Sequence, residues 1–180
     1  MKSLVRREDA EKKHIENEAL EVETLEADRD WLLEAVPAYI EELAAFAPSY
    51  AKLAQGLKKN KTMLAFWFSR PEIEWRVFLH DGARVGFALL AKKPFWSVSQ
   101  GMDFRMGEFF IAPECRRLGL GRAFAERTIE SHPGWWEITQ IPANSRAAAF
   151  WRQVVQELTK GDFTEEIRPD AIRQAFLSRG

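Results

Sequence analysis

The segment from Phe109 to Ala123 brings together residue types suited to binding an anionic ligand. It starts with an apolar run typical of a buried strand, passes a proline, and reaches Gly119 and Gly121 before an apolar helix pattern begins. A glycine-rich turn between a strand and a helix presents unpaired backbone N–H groups at the positive end of the helix dipole. Glycine also lets the backbone approach a ligand closely, because it has no Cβ. The segment therefore predicts a diphosphate site.

Basic side chains beside the two glycines support this interpretation. Arg116, Arg117 and Arg122 carry charge that is suited to phosphates. A dinucleotide-binding pattern would need a third glycine where Phe124 stands, and the Gly-Lys-Ser/Thr sequence of nucleotide-hydrolysing loops does not occur in the chain. The spacing of two glycines is weak evidence by itself, so a plain strand-turn-helix with its arginines in solvent stays open.

Two sequence motifs resemble those of the GNAT superfamily of N-acetyltransferases. Residues 113–121, Pro-Glu-Cys-Arg-Arg-Leu-Gly-Leu-Gly, are similar to that family's acetyl-CoA pyrophosphate loop, whose core pattern is Arg/Gln-x-x-Gly-x-Gly/Ala. Residues 144–151, Asn-Ser-Arg-Ala-Ala-Ala-Phe-Trp, resemble its second motif, Asn-x-x-Ala-x-x-Phe-Tyr. The motifs stand in the family's order, with a predicted helix and strand between them. The resemblance extends from about Leu20 to the C-terminus.

The predicted order of elements agrees with the arrangement that this resemblance implies. The predicted strands are 20–24, 73–80, 84–91, 106–111, 135–141, 163–168 and 171–177, the last of which could also be helical. Helices are predicted at 31–47 and 48–59, after Gly119 and after Asn144, and the loop 92–103 carries Phe95 and Trp96 in positions expected to be exposed.

The resemblance implies an α+β fold in one GNAT-like domain over residues 19–180. Its sheet would be mixed, mostly antiparallel and of six to seven strands with flanking helices, and the fourth and fifth strands would splay apart. Residues 1–18 are charged, lack an apolar face, and are predicted to be an N-terminal extension.

The same resemblance implies acetyl-CoA as the cosubstrate, bound in the gap between the splayed strands. Backbone groups of the fourth strand would pair with the pantetheine arm, and the glycine-rich loop would hold the pyrophosphate. The residues assigned to the cofactor in this way are Phe110, Ile111, Arg116, Arg117, Leu118, Gly119, Leu120, Gly121, Arg122, Asn144 and Trp151. For Asn144, an ordinary helix N-cap is the alternative to a cofactor contact.

Trp151 breaks the family pattern at the position of a tyrosine whose hydroxyl can protonate the departing CoA thiolate. An indole N–H donates a hydrogen bond but is a negligible acid, so Trp151 cannot take over that proton transfer. A CoA thiolate is nevertheless a tolerable leaving group near neutral pH. Trp151 is otherwise interpreted as a core aromatic residue.

Glu108 and Glu137 are the candidate general bases, because an amine must be neutral before it can attack a thioester. Glu108 lies on the fourth strand, where members of the family often carry a carboxylate, although a strand-end glutamate in solvent is the alternative. Burial of Glu137 among aromatic residues would raise its pKa. His80 and His132 lie in turn contexts that predict surface positions, and no spacing typical of metal ligands occurs.

Composition limits the other classes of function. A net charge of −1 over 180 residues gives no basic surface of the kind that nucleic-acid binding needs. The one cysteine, Cys115, excludes an internal disulfide and is predicted to pack, although the adjacent arginine and helix start could lower its pKa. Neither a signal-peptide core nor an apolar run of roughly 18 residues occurs, so we expect a cytoplasmic protein without a membrane partner.

The resemblance implies an acyltransferase that moves an acetyl group from acetyl-CoA directly to an amine, either a small cationic amine or a protein amine. The first helix pair usually shapes the acceptor pocket of this family, and here it carries Glu34, Glu41 and Glu42, which suggest a cationic amine. The alternative is a non-catalytic CoA-binding sensor or partner-binding module, which Trp151 favours. The acceptor, the acyl chain length and the oligomeric state, including a homodimer, stay open.

Overall fold

The computed structural model describes residues 20–23, 28–60 and 63–180. Its strands are β1 (Leu20–Glu23), β2 (Ile73–His80), β3 (Ala83–Lys92), β4 (Phe104–Ile111), β5 (Gly134–Gln140), β6 (Phe163–Ile167) and β7 (Ile172–Ser178). Its helices are α1 (Arg29–Ala44), α2 (Pro48–Lys59), α3 (Met63–Phe68), α4 (Leu120–Glu130) and α5 (Ser145–Thr159), with a 3₁₀ turn at Pro113–Cys115. The predicted extension over residues 1–18 lies outside the described residues.

The seven strands form one sheet in the order β1-β2-β3-β4-β5-β7-β6. All neighbouring pairs are antiparallel except β4 and β5, which are parallel. The predicted α+β fold, with a mixed and mostly antiparallel sheet, is therefore confirmed. The C-terminal segment forms the hairpin β6–β7 rather than ending in a helix.

Helices cover both faces of the sheet. α1, α2 and α3 pack on one face, here called the α1 face, where Leu32, Val77 and Phe87 are fully buried. α4 and α5 pack on the other, here called the α5 face, where Phe124 stacks on Phe78 with ring centroids 4.4 Å apart. Each face of the sheet thus buries its apolar side chains against a helix layer, which is the main source of stability for such folds.

A β-bulge interrupts β4 at Gly107. Glu108 pairs with Leu89 of β3 and Met106 pairs with Leu90, so Gly107 has no counterpart on the neighbouring strand. An extra residue in one strand reverses the alternation of all the side chains that follow it. Leu89 belongs to the core of the α1 face, and Glu108, as its paired neighbour, is turned to the same face.

The parallel strands β4 and β5 are paired over only a short stretch. Phe104, Arg105 and Met106 pair with residues 136–138 of β5. β4 then continues to Ile111, and no strand of the described chain pairs with this part on the β5 side. The splay predicted for the fourth and fifth strands is thereby confirmed, and it opens a gap lined by unpaired backbone of β4.

Helix α3 has no counterpart among the predicted elements, because its six residues are all apolar or aromatic and carry no helical periodicity. The prediction that Phe95 is exposed is wrong, because it did not include α3, the helix against which Phe95 packs. Phe95 packs against Trp67 of α3, with ring centroids 6.5 Å apart, and is 3% exposed. Trp96 is 79% exposed, as predicted.

Polar contacts of Glu74 link β2 to β3 and to the loop between α4 and β5. Its carboxylate accepts hydrogen bonds from Arg76 at 2.7 Å and Lys92 at 3.1 Å, and His132 Nε2 lies 3.3 Å away. The predicted surface position of His132 is wrong, because its ring packs edge-on against Phe104 and its side chain is largely buried. Contact with His132 and the bonds from Arg76 and Lys92 hold the pKa of Glu74 well below its usual range, although burial acts in the opposite direction.

Glu74→Gln should lower the free energy of unfolding at pH 7 by about 1–2 kcal/mol, because the amide loses the charge-assisted bonds. A carboxyl whose pKa is lowered in the folded state stabilises the protein above its unfolded pKa, near 4.5, and loses this contribution as the pH falls. Urea denaturation at pH 7 and at about pH 4 should therefore show a smaller acid-dependent loss in the variant than in the wild type. An unchanged acid dependence would contradict this role.

Candidate active site

A cavity of about 440 Å³ lies where β4 and β5 diverge. Tyr39 and Tyr50 line it from α1 and α2, and Asn144 and Trp151 line it at the start of α5. Part of its wall comes from residues 116–122, here called the anion loop, which leads into α4. The cavity thus joins the free edge of β4 to the N-terminus of α4.

Most residues that the sequence assigns to the cofactor line this cavity. They are Phe110, Ile111, Arg116, Arg117, Gly119, Gly121, Arg122, Asn144 and Trp151. Leu118 and Leu120 do not line it, because Leu118 is exposed and Leu120 is buried in the core of the α5 face. The role predicted for these two residues, binding of the pyrophosphate by their backbone N–H groups, stays a prediction.

The anion loop has the backbone shape of an anion-binding turn. Arg117 and Gly119 adopt left-handed φ values of 65° and 83°. Gly119 is the N-cap of α4, and no side chain of the described residues caps the helix there. The N–H groups of the first turn have no acceptor within the helix and lie at the positive end of its dipole. Such a helix end can bind a phosphate.

Two arginines of the loop are already engaged by carboxylates. Arg116 donates hydrogen bonds from its two terminal nitrogens to the carboxylate of Glu42 in α1, at 2.8 and 2.7 Å. Its Nε donates a third to the carbonyl oxygen of Ile111 at 2.8 Å. Arg122 pairs with glutamates of α4 and α5. A phosphate role for either side chain stays a prediction, since each guanidinium would have to share or exchange its partner.

Arg117 and Arg146 are the other two cations at the cavity. Both are exposed, and neither has an ion-pair partner within the described part of the chain. Arg146 is not among the site residues predicted from the sequence, although it follows Asn144 by two residues within the second motif. These two side chains supply charge that an anionic ligand can neutralise.

At the start of α5, the structure shows the helix N-cap that the sequence offered as the alternative role of Asn144. Asn144 Oδ1 accepts a hydrogen bond from the N–H of Ala147 at 3.2 Å, so Asn144 is the N-cap. Trp151 is 6% exposed and packs edge-on against Phe109, with ring centroids 5.1 Å apart. Trp151 is therefore a core residue that also lines the cavity, with no hydroxyl to offer there.

The bulge of β4 places the carboxyl group of Glu108 at the cavity wall. Tyr39 Oη donates a hydrogen bond to Oε2 at 2.8 Å, and Tyr50 Oη lies 3.3 Å from Oε1 and 3.4 Å from Oε2. Burial raises the pKa of Glu108 to about 7, although the two hydroxyls and the charge of Arg105 act to lower it. Glu108 can therefore exchange a proton near neutral pH.

Glu137 differs from its prediction. Its carboxylate is fully buried away from the cavity and accepts bonds from the N–H of Ser99 at 2.8 Å, from Ser99 Oγ at 2.7 Å and from Arg173 Nε at 2.7 Å. The predicted rise in pKa is wrong. Burial does act to raise the pKa of Glu137, but the bonds from Ser99 and Arg173 outweigh it and hold the pKa below its usual value.

Two further expectations about the site also change. Burial and the nearby Glu114 raise the pKa of Cys115, so the lowered pKa considered from the sequence is wrong. Of the three glutamates of α1, Glu42 lines the cavity, whereas Glu34 and Glu41 do not, and Glu41 pairs with Lys58 at 2.8 Å.

The sequence matches the model of the acetyltransferase (GNAT) family over residues 36–154, more than half of the chain. The chain belongs to this family. The matched segment contains Tyr39, Glu108, the anion loop and the start of α5, which are the parts that surround the cavity. The resemblance inferred from the two motifs is thereby confirmed.

Solved structures of other GNAT proteins share the fold. The PaiA N-acetyltransferase of Thermoplasma acidophilum, in complex with coenzyme A, is 14% identical, with a TM-score of 0.61 over 89% of this chain and 99% of that one. The spermidine N-acetyltransferase of Vibrio cholerae, with CoA and spermine, is 16% identical, with a TM-score of 0.57 over 90% and 97%. The ribosomal-protein-S18-alanine N-acetyltransferase of Escherichia coli is 19% identical, with a TM-score of 0.58 over 89% and 95%. No curated protein sequence matches the chain.

Within residues 20–23, 28–60 and 63–180, no group of three or more His, Cys, Asp or Glu side chains is placed to hold a metal ion. In the same residues, no helix combines the length and the apolar character needed to cross a membrane.

Gly121→Glu should weaken CoA binding by on the order of a hundredfold, about 2.7 kcal/mol, because a bulky anion would stand beside the anion loop. A Cβ at this position would lie 3.4 Å from Ile111 and 3.6 Å from Phe150, which are ordinary contacts, so the fold should persist. Isothermal titration with CoA gives the affinity, and the melting temperature checks the fold.

Gly121→Gln is the matched control, since it adds similar bulk without the charge. We expect it to bind CoA more weakly than the wild type but more tightly than Gly121→Glu. If all three proteins bind CoA with the same affinity, the phosphates bind elsewhere.

Proposed function

We propose that this chain transfers an acetyl group from acetyl-CoA directly to an amine bound in the same cavity. The observation that carries the proposal is the carboxyl of Glu108, which lines the cavity and whose pKa burial raises to about 7. Such a group can act as a general base near neutral pH. Membership of the GNAT family supports the acetyl transfer, and two of the similar structures contain CoA.

The residues around the cavity fit acetyl-CoA, which would supply the acetyl group as a thioester. We assign its pyrophosphate to the anion loop, with Arg117 and Arg146 neutralising phosphate charge. We assign the pantetheine arm to the gap between β4 and β5, where Phe110 and Ile111 belong to the unpaired edge of β4. Asn144 would contact the cofactor from the start of α5.

Glu108 would act on the acceptor amine. An amine reaches the site as an ammonium ion, and the carboxylate of Glu108 accepts one of its protons. The neutral nitrogen then forms a bond to the acetyl carbon while the carbon–sulfur bond breaks. The thiolate leaves as this bond breaks and afterwards takes up one proton from solvent. The nitrogen loses its second proton to solvent as the amide forms, and Glu108 returns the first to solvent, so that one proton is released in each turnover.

Among the described residues that line the cavity, none has a hydroxyl suited to protonating the thiolate, since the aliphatic hydroxyl of Thr139 is also a very weak acid. Trp151 is a negligible acid, and burial together with the neighbouring Glu108 raises the pKa of both Tyr39 and Tyr50 above the ordinary value. We propose that the thiolate leaves as such and is protonated by solvent, which its pKa range permits near neutral pH.

The acceptor is proposed to be a small amine or a protein amine. Among the described residues, the carboxylates that line the cavity are those of Glu42 and Glu108. Glu42 is paired with Arg116, whereas Glu108 is not paired with an arginine or lysine of the described chain. One of the similar proteins is named a spermidine N-acetyltransferase and another a ribosomal-protein-S18-alanine N-acetyltransferase. These names support a small amine and a protein amine equally.

A cytoplasmic location is also proposed, on the sequence features given above.

Glu108→Gln should keep CoA affinity and lower kcat/KM by on the order of a hundredfold, the usual scale for one general base. The loss should be largest near neutral pH and shrink at high pH, where the amine deprotonates without help. The measurement is CoA release with acetyl-CoA and a panel of small amines and peptides. Unchanged rates at every pH would remove Glu108 as the base.

Glu137→Gln is the matched control, since it neutralises a buried glutamate that lies away from the cavity. It should lower the melting temperature, because Arg173 keeps only a neutral partner, yet leave kcat/KM unchanged below the unfolding transition. A loss as large as that of Glu108→Gln would place the base at Glu137.

The second candidate function is a CoA-binding sensor without turnover, and the observation that favours it is the missing hydroxyl at Trp151. Trp151→Tyr would supply that hydroxyl and should give equal or higher acetyl transfer, if the smaller ring keeps its packing on Phe109. Tight CoA binding without CoA release, in both the wild type and this variant and with every amine, would favour the sensor.

A further inference from the structure

Two tyrosine hydroxyls from different helices meet at the carboxyl group of Glu108. Tyr39 lies in the second half of α1, and Tyr50 lies in the first turn of α2, which is separated from α1 by only three residues. Tyr39 is held closely, at 2.8 Å from Oε2, whereas Tyr50 lies at 3.3 and 3.4 Å from the two oxygens. The one hydroxyl proton of Tyr50 serves a single one of these contacts or is shared between them, so Oε2 has the short bond and Oε1 has at most a long one.

We propose that Tyr39 and Tyr50 position the carboxylate of Glu108, so that Oε1 is the oxygen that accepts the proton of the acceptor amine. This role rests on the proposed function, in which Glu108 is the general base. An ionised carboxylate only accepts hydrogen bonds, so two hydroxyl donors fix its rotamer without consuming the basic capacity of the less engaged oxygen. The tyrosines themselves exchange no proton with the substrate.

Both hydroxyls stay protonated over the working pH range, because burial and Glu108 raise the pKa of Tyr39 and Tyr50. They therefore remain donors, and each donated bond favours the charged form of Glu108. Burial opposes them by favouring the neutral form. Removing one hydroxyl should weaken this opposition to burial and move the ionisation of Glu108 to higher pH.

The other charged groups around Glu108 are few. From its own strand, the charge of Arg105 also favours the carboxylate, and the Arg105 guanidinium donates to the carbonyl oxygen of Ser97 at 3.1 Å. From α1 and the anion loop, Glu42 and Arg116 line the same cavity but neutralise each other. The hydrogen bonds of Arg105, Arg116 and Glu42 described above do not involve a tyrosine hydroxyl, so a change at Tyr39 tests the tyrosine contact itself.

Phenylalanine is a clean substitution at Tyr39. The ring packs edge-on against Phe87 and tilted against Phe110, with centroids 5.5 and 5.4 Å apart, and phenylalanine keeps both contacts. Tyr39→Phe thus keeps the ring contacts and removes the hydroxyl, with its bond to Glu108 and its interaction with the backbone of Phe109. Tyr50→Phe removes the longer contacts and serves as the graded companion.

The test is the pH profile of kcat/KM for acetyl transfer, measured for the wild type, Tyr39→Phe and Tyr50→Phe. The limb that rises with pH should move to higher pH by roughly one unit in Tyr39→Phe and by less in Tyr50→Phe. CoA affinity should stay at the wild-type value. A rate lowered equally at every pH, with the limb unmoved, would mean that Tyr39 only packs, and would overturn the proposal.

A second measurement does not depend on turnover. Carbon-13 NMR of glutamate labelled at its side-chain carboxyl, with the Glu108 signal assigned by its loss in Glu108→Gln, reports the titration directly. A higher pKa of Glu108 in Tyr39→Phe supports the proposal even if no amine tested is a substrate, a result that would count against the proposed function alone. An unchanged titration in the folded variant would overturn the positioning role.

Discussion

The site depends on one structural constraint, the extra residue that β4 carries at Gly107. The bulge turns Glu108 to the α1 face and keeps Phe109 and Ile111 in contact with the core of the α5 face. With simple alternation after Met106, the carboxyl would enter that core, where nothing would pair with it. A Cβ at position 107 would lie 2.7 Å from Cδ2 and 3.1 Å from the carbonyl oxygen of Leu89, which explains the glycine.

Helix α1 links the two halves of the cavity. Tyr39 and Glu42 are three residues apart and so share one face of the helix. The first contacts Glu108 on the sheet, and the second holds Arg116 at the start of the anion loop. The same helix surface thereby fixes the carboxyl proposed as the base and the loop proposed to bind phosphates.

Local patterns made much of this fold predictable. β2 and β3 are joined by Asp81-Gly82, a dipeptide typical of tight hairpin turns, so their pairing follows from local sequence. The anion loop and the cap at Asn144 likewise follow from residues close together in sequence. The parts that could not be predicted depend on distant partners. Tyr39 and Tyr50 lie 69 and 58 residues from Glu108, and Arg173 lies 36 residues from Glu137, whose pKa it lowers. No local sequence pattern indicates such distant pairs. Helix α3 could not be predicted either, because six apolar residues are too few to show a helical periodicity.

The most direct test of the account is a crystal structure of this protein with CoA. We predict the pantetheine arm between β4 and β5, the pyrophosphate at the first turn of α4, and the thiol within reach of Glu108, directly or through one water. A pantetheine arm bound outside this gap, or a thiol separated from Glu108 by protein, would contradict the central claim.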